Sequence, residues 1–366
     1  MSARPLVIIT TRLAPQICGV GAHSWQLQRH WPEQNPGSHF LVVDGAEESI
    51  RTLGYSAITQ FGGNSSGLSL ALKRLGSVDI LLHYAAGPFS RLGCPFWLPR
   101  TLQKWKKESG GRLLVFFHEM PAKLPVTNRR FWTALGNQYV IGQLARLADA
   151  IITNTDEHAD RLRRLSRRGD VQLAAVGSNI DPQGVLTDVR ERTEFVVFGL
   201  PFGRWQTLQS FDQHIRVWQR EGLLTKLHLI GPSDEKFDTR SGKLIHEWPR
   251  PNSVIEHGLL PANEVSQVLA RARFGLTNAT VENWSKSGVF MAYAAHRCAV
   301  IAQVDSNIEP LCFCIRPQEV STIAEAEVNE RARLLGEWYS RHADWHITAR
   351  KISDLVSMNN QAEAMT

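Results

Sequence analysis

The feature that most constrains this chain is an alternation running through nearly its whole length. Short runs of branched and aromatic apolar residues close on polar or glycine-bearing loops, and longer stretches with helical spacing separate them. Runs that are apolar at every position have no face for solvent, so they suit strands covered on both sides, as in a parallel sheet between helices. In the first half, strands are expected at residues 6–10, 40–43, 80–83, 113–117, 150–153 and 173–176, and helices at 20–31, 68–75 and 132–148. Ligands of open α/β sheets bind beyond the carboxyl ends of the strands. Residues 11–21, 83–87, 118–120 and 154–155 therefore form an expected binding wall.

The alternation breaks once. From residue 181 to 193 the chain turns polar and loses strand spacing, and it restarts at Phe195-Val-Val-Phe-Gly-Leu-Pro-Phe-Gly-Arg204. This reads as a linker between a first domain at 1–180 and a second at 194–345, and 366 residues suffice for two α/β domains with cores of their own. The second half places strands at 195–198, 227–230, 254–256, 275–276 and 300–301, and helices at 261–271 and 286–296. Residues 324–357 read as helical, with Trp338, Tyr339, Trp345 and Ile347 as apolar anchors, and 346–366 as a closing helix and tail.

With 43% hydrophobic and 21% charged residues the chain has the makeup of a globular enzyme. No stretch approaches the ~20 apolar residues of a membrane helix, and the start runs straight into a strand rather than a signal peptide, so a cytoplasmic protein is expected. Five cysteines, none in a zinc-ribbon pair, point to reduced thiols, with Cys312 and Cys314 expected on one face of a strand as small buried hydrophobes. A net charge of +6 suits anionic partners, phosphorylated donors and acidic lipids among them. The arginines are scattered or lie on helix faces, as at 161–168, which reads as solvated surface and not as a nucleic-acid footprint.

Three stretches carry candidate chemistry. Gly19-Val-Gly21-Ala-His23-Ser24 lies between the first strand and a helix, where backbone N–H groups can approach a phosphate. It departs from a dinucleotide fingerprint: Ser24 stands at the third glycine, and a long loop precedes the first. Asp44 keeps an NAD-dependent alternative open as a ribose partner, and a loop that merely lets the domains approach each other is the structural one. At the next wall, Phe117-His118-Glu119 sets an imidazole and a carboxylate at a strand end, suited to orienting a sugar hydroxyl, with His83-Tyr84 as a second pair for acceptor contact or structure. The third and densest stretch is Thr280-Val-Glu282-Asn-Trp284-Ser-Lys286-Ser287-Gly288. The Ser287 and Gly288 N–H groups with the Lys286 ammonium make a diphosphate site, Glu282 can accept from sugar hydroxyls, and the alternative is a plain capped helix. Arg204, from another strand end, would add a second cation. Asp-x-Asp, the phosphate-binding P-loop and His-Glu-x-x-His are all absent, so no metal or cofactor is expected.

Taken together, these stretches resemble bacterial family 4 glycosyltransferases of the GT-B fold. The resemblance extends through Leu147-Ala-Asp-Ala-Ile-Ile-Thr-Asn154-Thr155, Val176-Gly-Ser178-Asn179-Ile180 and the block 282–301. It implies two facing Rossmann-like domains with a cleft between them, a closing helix that returns to the first domain, a nucleotide-sugar donor, anomeric retention and no required metal. Donor binding is expected from Gly203, Arg204, Gly231, Glu282, Lys286, Ser287 and Gly288, and catalysis from His118, Arg204, Lys286 and Glu282. Gly19, Gly21, His83, His118, Glu119 and Asn154 are expected on the acceptor side. The chain departs from the family in having no lysine shortly after Arg204, and in the apolar Phe290-Met-Ala-Tyr293 where a second glutamate belongs, so ribose must be held differently. The nearest likeness is to an envelope or exopolysaccharide subgroup, through Gly93-Cys-Pro95-Phe-Trp-Leu98 and Lys286-Ser-Gly-Val-Phe290. The expected reaction is sugar transfer to a saccharide, lipid-linked or small-molecule hydroxyl, in the cytoplasm or at an anionic membrane and without nucleic acid. The alternatives are a nucleotide-sugar epimerase of the same fold or a non-catalytic binder.

Overall fold

The computed structural model describes residues 4–32, 38–90, 92–183 and 191–363. The chain forms two compact units, Met1–Ala175 with Trp345–Thr366, and Val176–Asp344. The first unit runs β1 (Leu6–Thr10), α1 (Gly19–Arg29), β2 (His39–Val42), α2 (Ala46–Leu53), β3 (Ile58–Gln60), α3 (Ser65–Leu75), β4 (Asp79–Tyr84), α4 (Ala86–Phe89), α5 (Trp97–Ser109), β5 (Leu113–Phe117), α6 (Phe131–Leu147), β6 (Ala150–Thr153), α7 (Asp156–Ser166) and β7 (Val171–Leu173). The second runs β8 (Glu191–Phe198), α8 (Pro201–Arg220), β9 (Lys226–Ile230), α9 (Glu235–His246), β10 (Val254–Gly258), α10 (Ala262–Arg271), β11 (Ala272–Thr277), α11 (Gly288–Ala295), β12 (Ala299–Ala302) and α12 (Glu325–His342). A last helix, α13 (Trp345–Glu363), belongs to the first unit.

Both sheets are parallel throughout, ordered β3-β2-β1-β4-β5-β6-β7 and β10-β9-β8-β11-β12. The reason is visible in the strands: every residue of β1, β4, β5 and β6 is buried, leaving no face for water. Each sheet is wound in two directions from its first strand. The reversal falls between β1 and β4 in one and between β8 and β11 in the other, and crevices at carboxyl strand ends open at such points.

The closing helix docks as the resemblance implies. Trp345, Ala349, Ile352 and Val356 of α13 join Leu6, Ile8, Leu114 and Phe116 in one core. Arg112 donates to the carbonyls of Leu355 and Val356, and Lys351 donates to that of Leu173. Trp338 and Tyr339 are buried in the second unit, but Ile347, expected as an anchor, is exposed. Several elements were not legible. β3 is a short edge strand, and α2, α5, α7, α8 and α9 carry enough Arg, Lys, Gln and Ser to dilute their apolar stripes. The strand expected at 173–176 is β7, two residues earlier, because Val176 already donates to the Ser285 carbonyl at 3.0 Å within the second unit. Of the linker expected at 181–193, residues 184–190 lie outside the described residues and 191–193 open β8. Cys312 and Cys314 sit at a 3-10 turn over Leu311–Phe313, not on a strand. Burial pushes the Cys314 thiol up to about 12.

Candidate functional site

In the second unit the expected donor residues gather at the β8–β11 reversal. β8 is followed by Gly199, whose N–H donates to the Ile230 carbonyl at 3.0 Å, and β9 by Gly231, whose N–H donates to Gly258 O at 2.8 Å. Gly231 has φ +137°, and a Cβ there would stand 2.0 Å from the Gly199 carbonyl oxygen, so only glycine lets the two strand ends meet. Directly beyond, Pro201 pre-sets the first turn of α8 and brings Arg204 in beneath the strand ends.

Arg204 is 2% exposed. Its Nη2 donates to the Pro232 carbonyl and its guanidinium lies 4.1 Å from the centre of the Phe237 ring, but its Nε is buried without a partner. Burial lowers its pKa, opposed by the more distant Glu256, Asp238 and Asp234, and among the described residues it forms no ion pair. A guanidinium stays charged, and a buried cation without a carboxylate partner is costly unless an anion reaches it. Gly203, one residue earlier on α8, faces open space.

From β11 the chain enters the loop 278–287. Thr280 N donates to Asn283 Oδ1 at 2.8 Å, and Lys286 ends a 3-10 turn over Trp284–Lys286. Lys286 is exposed, with no ion pair among the described residues. Ser287 caps α11, its Oγ accepting from Phe290 N at 3.1 Å, so Gly288 opens the helix and not Lys286 as expected. Glu282 is exposed, and a hydrogen bond with Thr280 lowers its pKa. α11 is apolar all round: Phe290, Met291, Ala292 and Tyr293 are all buried. Tyr293 donates toward the Val196 and Leu276 carbonyls and accepts from Phe198 N, all at 3.2 Å, tying α11 to β8 and β11. A carboxylate at position 290 would therefore enter the core.

In the first unit the expected acceptor-side residues lie around the β1–β4 reversal. Gly21 is the third residue of α1, and a Cβ there would be 1.6 Å from the Arg12 carbonyl oxygen, so it serves a close approach of helix and loop. Gly19, the first residue, has nothing within 4 Å of its would-be Cβ. Asp44, considered for ribose, is held by Arg12 in a two-pronged pair at 2.7 and 2.9 Å. His118 follows β5, where Phe117 registers with Thr153 of β6, so Asn154 stands beside it at the next strand end. Asn154 is buried with Oδ1 unpartnered, and Glu119 is exposed. His118 Nε2 meets His83 Nδ1 at 2.9 Å, and burial holds both rings well below the usual histidine range. His83 is wholly enclosed. His23, which sequence reasoning mentioned only as part of the glycine loop, completes the group, its ring centre 4.8 Å from that of His118.

No family model matches this chain, and no curated protein sequence matches it. Solved structures do. HepE of Anabaena, in complex with UDP, superposes with a TM-score of 0.69 at 11% identity, covering 97% of this chain and 100% of that one. A glycosyltransferase from Rickettsia africae gives 0.66 at 10%, covering 98% and 99%. An α-glucosyltransferase in complex with UDP and a DNA 13-mer gives 0.65 at 10%, covering 97% and 100%. The likeness spans the chain from end to end and shows its fold, the GT-B arrangement of two parallel-sheet α/β domains with closing C-terminal helices.

Proposed function

We propose that this chain is a glycosyltransferase that moves a sugar from a nucleotide-diphosphate sugar to a hydroxyl acceptor with retention at the anomeric carbon. The observation that carries this reading is Arg204: a buried guanidinium with an unpartnered Nε and, among the described residues, no ion pair, set at the strand-order reversal of the second unit. Lys286 follows the adjacent strand with its ammonium in no ion pair among the described residues, and the Ser287-capped start of α11 lies beside it. A diphosphate supplies the anion these groups lack, and as the glycosidic bond breaks its growing charge draws more strongly on fixed cations. No metal is needed for that step. Glu282, exposed in the loop after β11, accepts from the donor sugar's hydroxyls, and His118 orients a hydroxyl from the first unit.

The acceptor we propose is a lipid-linked saccharide of envelope or exopolysaccharide type, met in the cytoplasm at an anionic membrane. Among the described residues no helix is long and apolar enough to cross a membrane. α6 instead presents Trp132, Leu135 and Tyr139, 70%, 47% and 57% exposed, along one face beside Phe96. No acidic residue occurs between Glu119 and Asp149, while Arg129, Arg130 and Arg146 do. Apolar side chains with a cationic surround suit an anionic interface. A binder without turnover is the second reading, favoured by the buried Phe290 where a carboxylate is missing.

Screening UDP-, GDP- and ADP-sugars for thermal stabilisation identifies the donor, since a ligand at 100 times its dissociation constant adds about 2.7 kcal/mol to the native state. Lys286→Ala should then cost about 3 kcal/mol of barrier, about 10²-fold in turnover, and less in donor affinity. Stabilisation by none of these donors, or wild-type kinetics in Lys286→Ala, would falsify the assignment, and stabilisation without release of nucleoside diphosphate would select the binder.

A further inference from the structure

Three imidazoles that are far apart in the sequence meet inside the first unit: His23 from α1, His83 from β4 and His118 from the end of β5. They are 3%, 0% and 7% exposed, and one nitrogen from each falls within 4.8 Å of the other two. Only one hydrogen bond joins them, the 2.9 Å contact of His83 Nδ1 with His118 Nε2. Both nitrogens of His23 and Nε2 of His83 are buried with no partner. Leaving a buried polar atom unsatisfied costs about 1–3 kcal/mol, so three such atoms in one cluster require an explanation beyond packing. The aromatic neighbours Phe116 and Trp345 give His23 ring contacts and no acceptor.

We propose that His23, His83 and His118 form a site for one divalent transition ion of the zinc class, each ring giving one neutral nitrogen lone pair. Zinc bonds imidazole at about 2.0–2.1 Å, and tetrahedral angles then separate the ligand nitrogens by about 3.4 Å. The observed separations, from 2.9 Å to at most 4.8 Å, bracket that value. Imidazoles without a carboxylate suit Zn²⁺, Co²⁺, Ni²⁺ or Cu²⁺ rather than the hard cations Mg²⁺ and Ca²⁺. The rings are already neutral, so when a facing nitrogen turns to the ion its proton stays on the other nitrogen of the same ring, with no net release. The ion staples α1 to the ends of β4 and β5 and fixes the His118 tautomer, a positioning role that is independent of how the second unit binds a donor. No local metal motif marks the site, because each ligand comes from a different element.

The test uses the full chain, stripped with chelator and titrated with Co²⁺, then with Zn²⁺. Wild type should take up one equivalent of Co²⁺ with the visible absorption of a four- or five-coordinate site, lose the band to Zn²⁺, and unfold at higher temperature with either ion. His23→Gln, which keeps a polar side chain of similar reach, should bind Co²⁺ at least ~100-fold more weakly, a loss that even an outer-shell partner can cause. His246→Gln, at the exposed end of α9, should bind as wild type does and reveals binding by surface histidines. The site is overturned if stripped wild type shows neither band nor thermal shift, or if a folded His23→Gln binds Co²⁺ with unchanged affinity. Because Co²⁺ absorption needs no donor, loss of this site and loss of the transferase reading show up separately.

Discussion

At the scale of single residues, what separates chemistry from packing here is whether a polar group is satisfied. Arg12, Asp44 and Thr155 are matched by neighbours and serve structure, whereas Arg204 Nε and Asn154 Oδ1 are buried and unmatched. The residue types were legible in the sequence; their satisfaction was not, because it depends on which strand ends adjoin. His118 shows the difference. Its position at a strand end follows from the run 113–117, but the His83 partner that holds its Nε2 comes from another strand. With Nε2 so held and the ring kept neutral by burial, its Nδ1 makes no hydrogen bond among the described residues, and the proposed transferase assigns it to a substrate hydroxyl. His118→Ala should lower turnover by on the order of 10²-fold while leaving nucleotide affinity nearly intact. Steady-state rates beside nucleotide titrations decide this, and unchanged turnover would return His118 to a structural role.

Among elements, the strands were the readable part and the amphipathic helices were not. β1, β4 and β5 are apolar at nearly every position, while α8 turns Arg204, Thr207 and Gln219 inward among its apolar residues and α9 buries Ser241 between Phe237 and Ile245. α6 is the element whose exposed face carries the proposed membrane contact. Its apolar residues 132, 135 and 139 recur at helical spacing, a pattern that by sequence alone marks a core face, yet these three side chains meet solvent. Replacing Trp132 and Leu135 with Glu should leave the fold intact, since both positions are exposed, and should strongly reduce co-sedimentation with vesicles containing anionic phosphatidylglycerol. Wild-type protein should bind those vesicles and not neutral phosphatidylcholine ones. Equal binding by the double variant would remove α6 from the interface.

For the whole molecule, the buried histidines tie stability to pH. Desolvation holds His23 at about 3, and His83 and His118 well below 6.5, next to His158. The unfolded chain binds protons at these rings below about pH 6.5 and the folded chain does not, so their contribution is complete above that value and lost as pH falls toward the folded values. At pH 5 the His23 ring alone removes about 2 kcal/mol, and His83 and His118 act in the same direction. Unfolding midpoints measured in chelator should therefore fall between pH 7 and pH 5, with a shallower slope in His23→Gln; identical slopes would mean that His23 is protonated in the native state. The sequence by itself determined two α/β domains, most of their strands and the closing helix, because burial on both faces imposes apolar runs that any reader of the chain can find. Tertiary structure alone decided that Val176–Ile180 lies in the second unit, that position 290 is core, that Arg204 has no counter-ion among the described residues and that three distant histidines meet. The physical reason is that periodicity reports which residues avoid water, while partners are assigned by strand order, and strand order is a long-range property that no local spacing encodes.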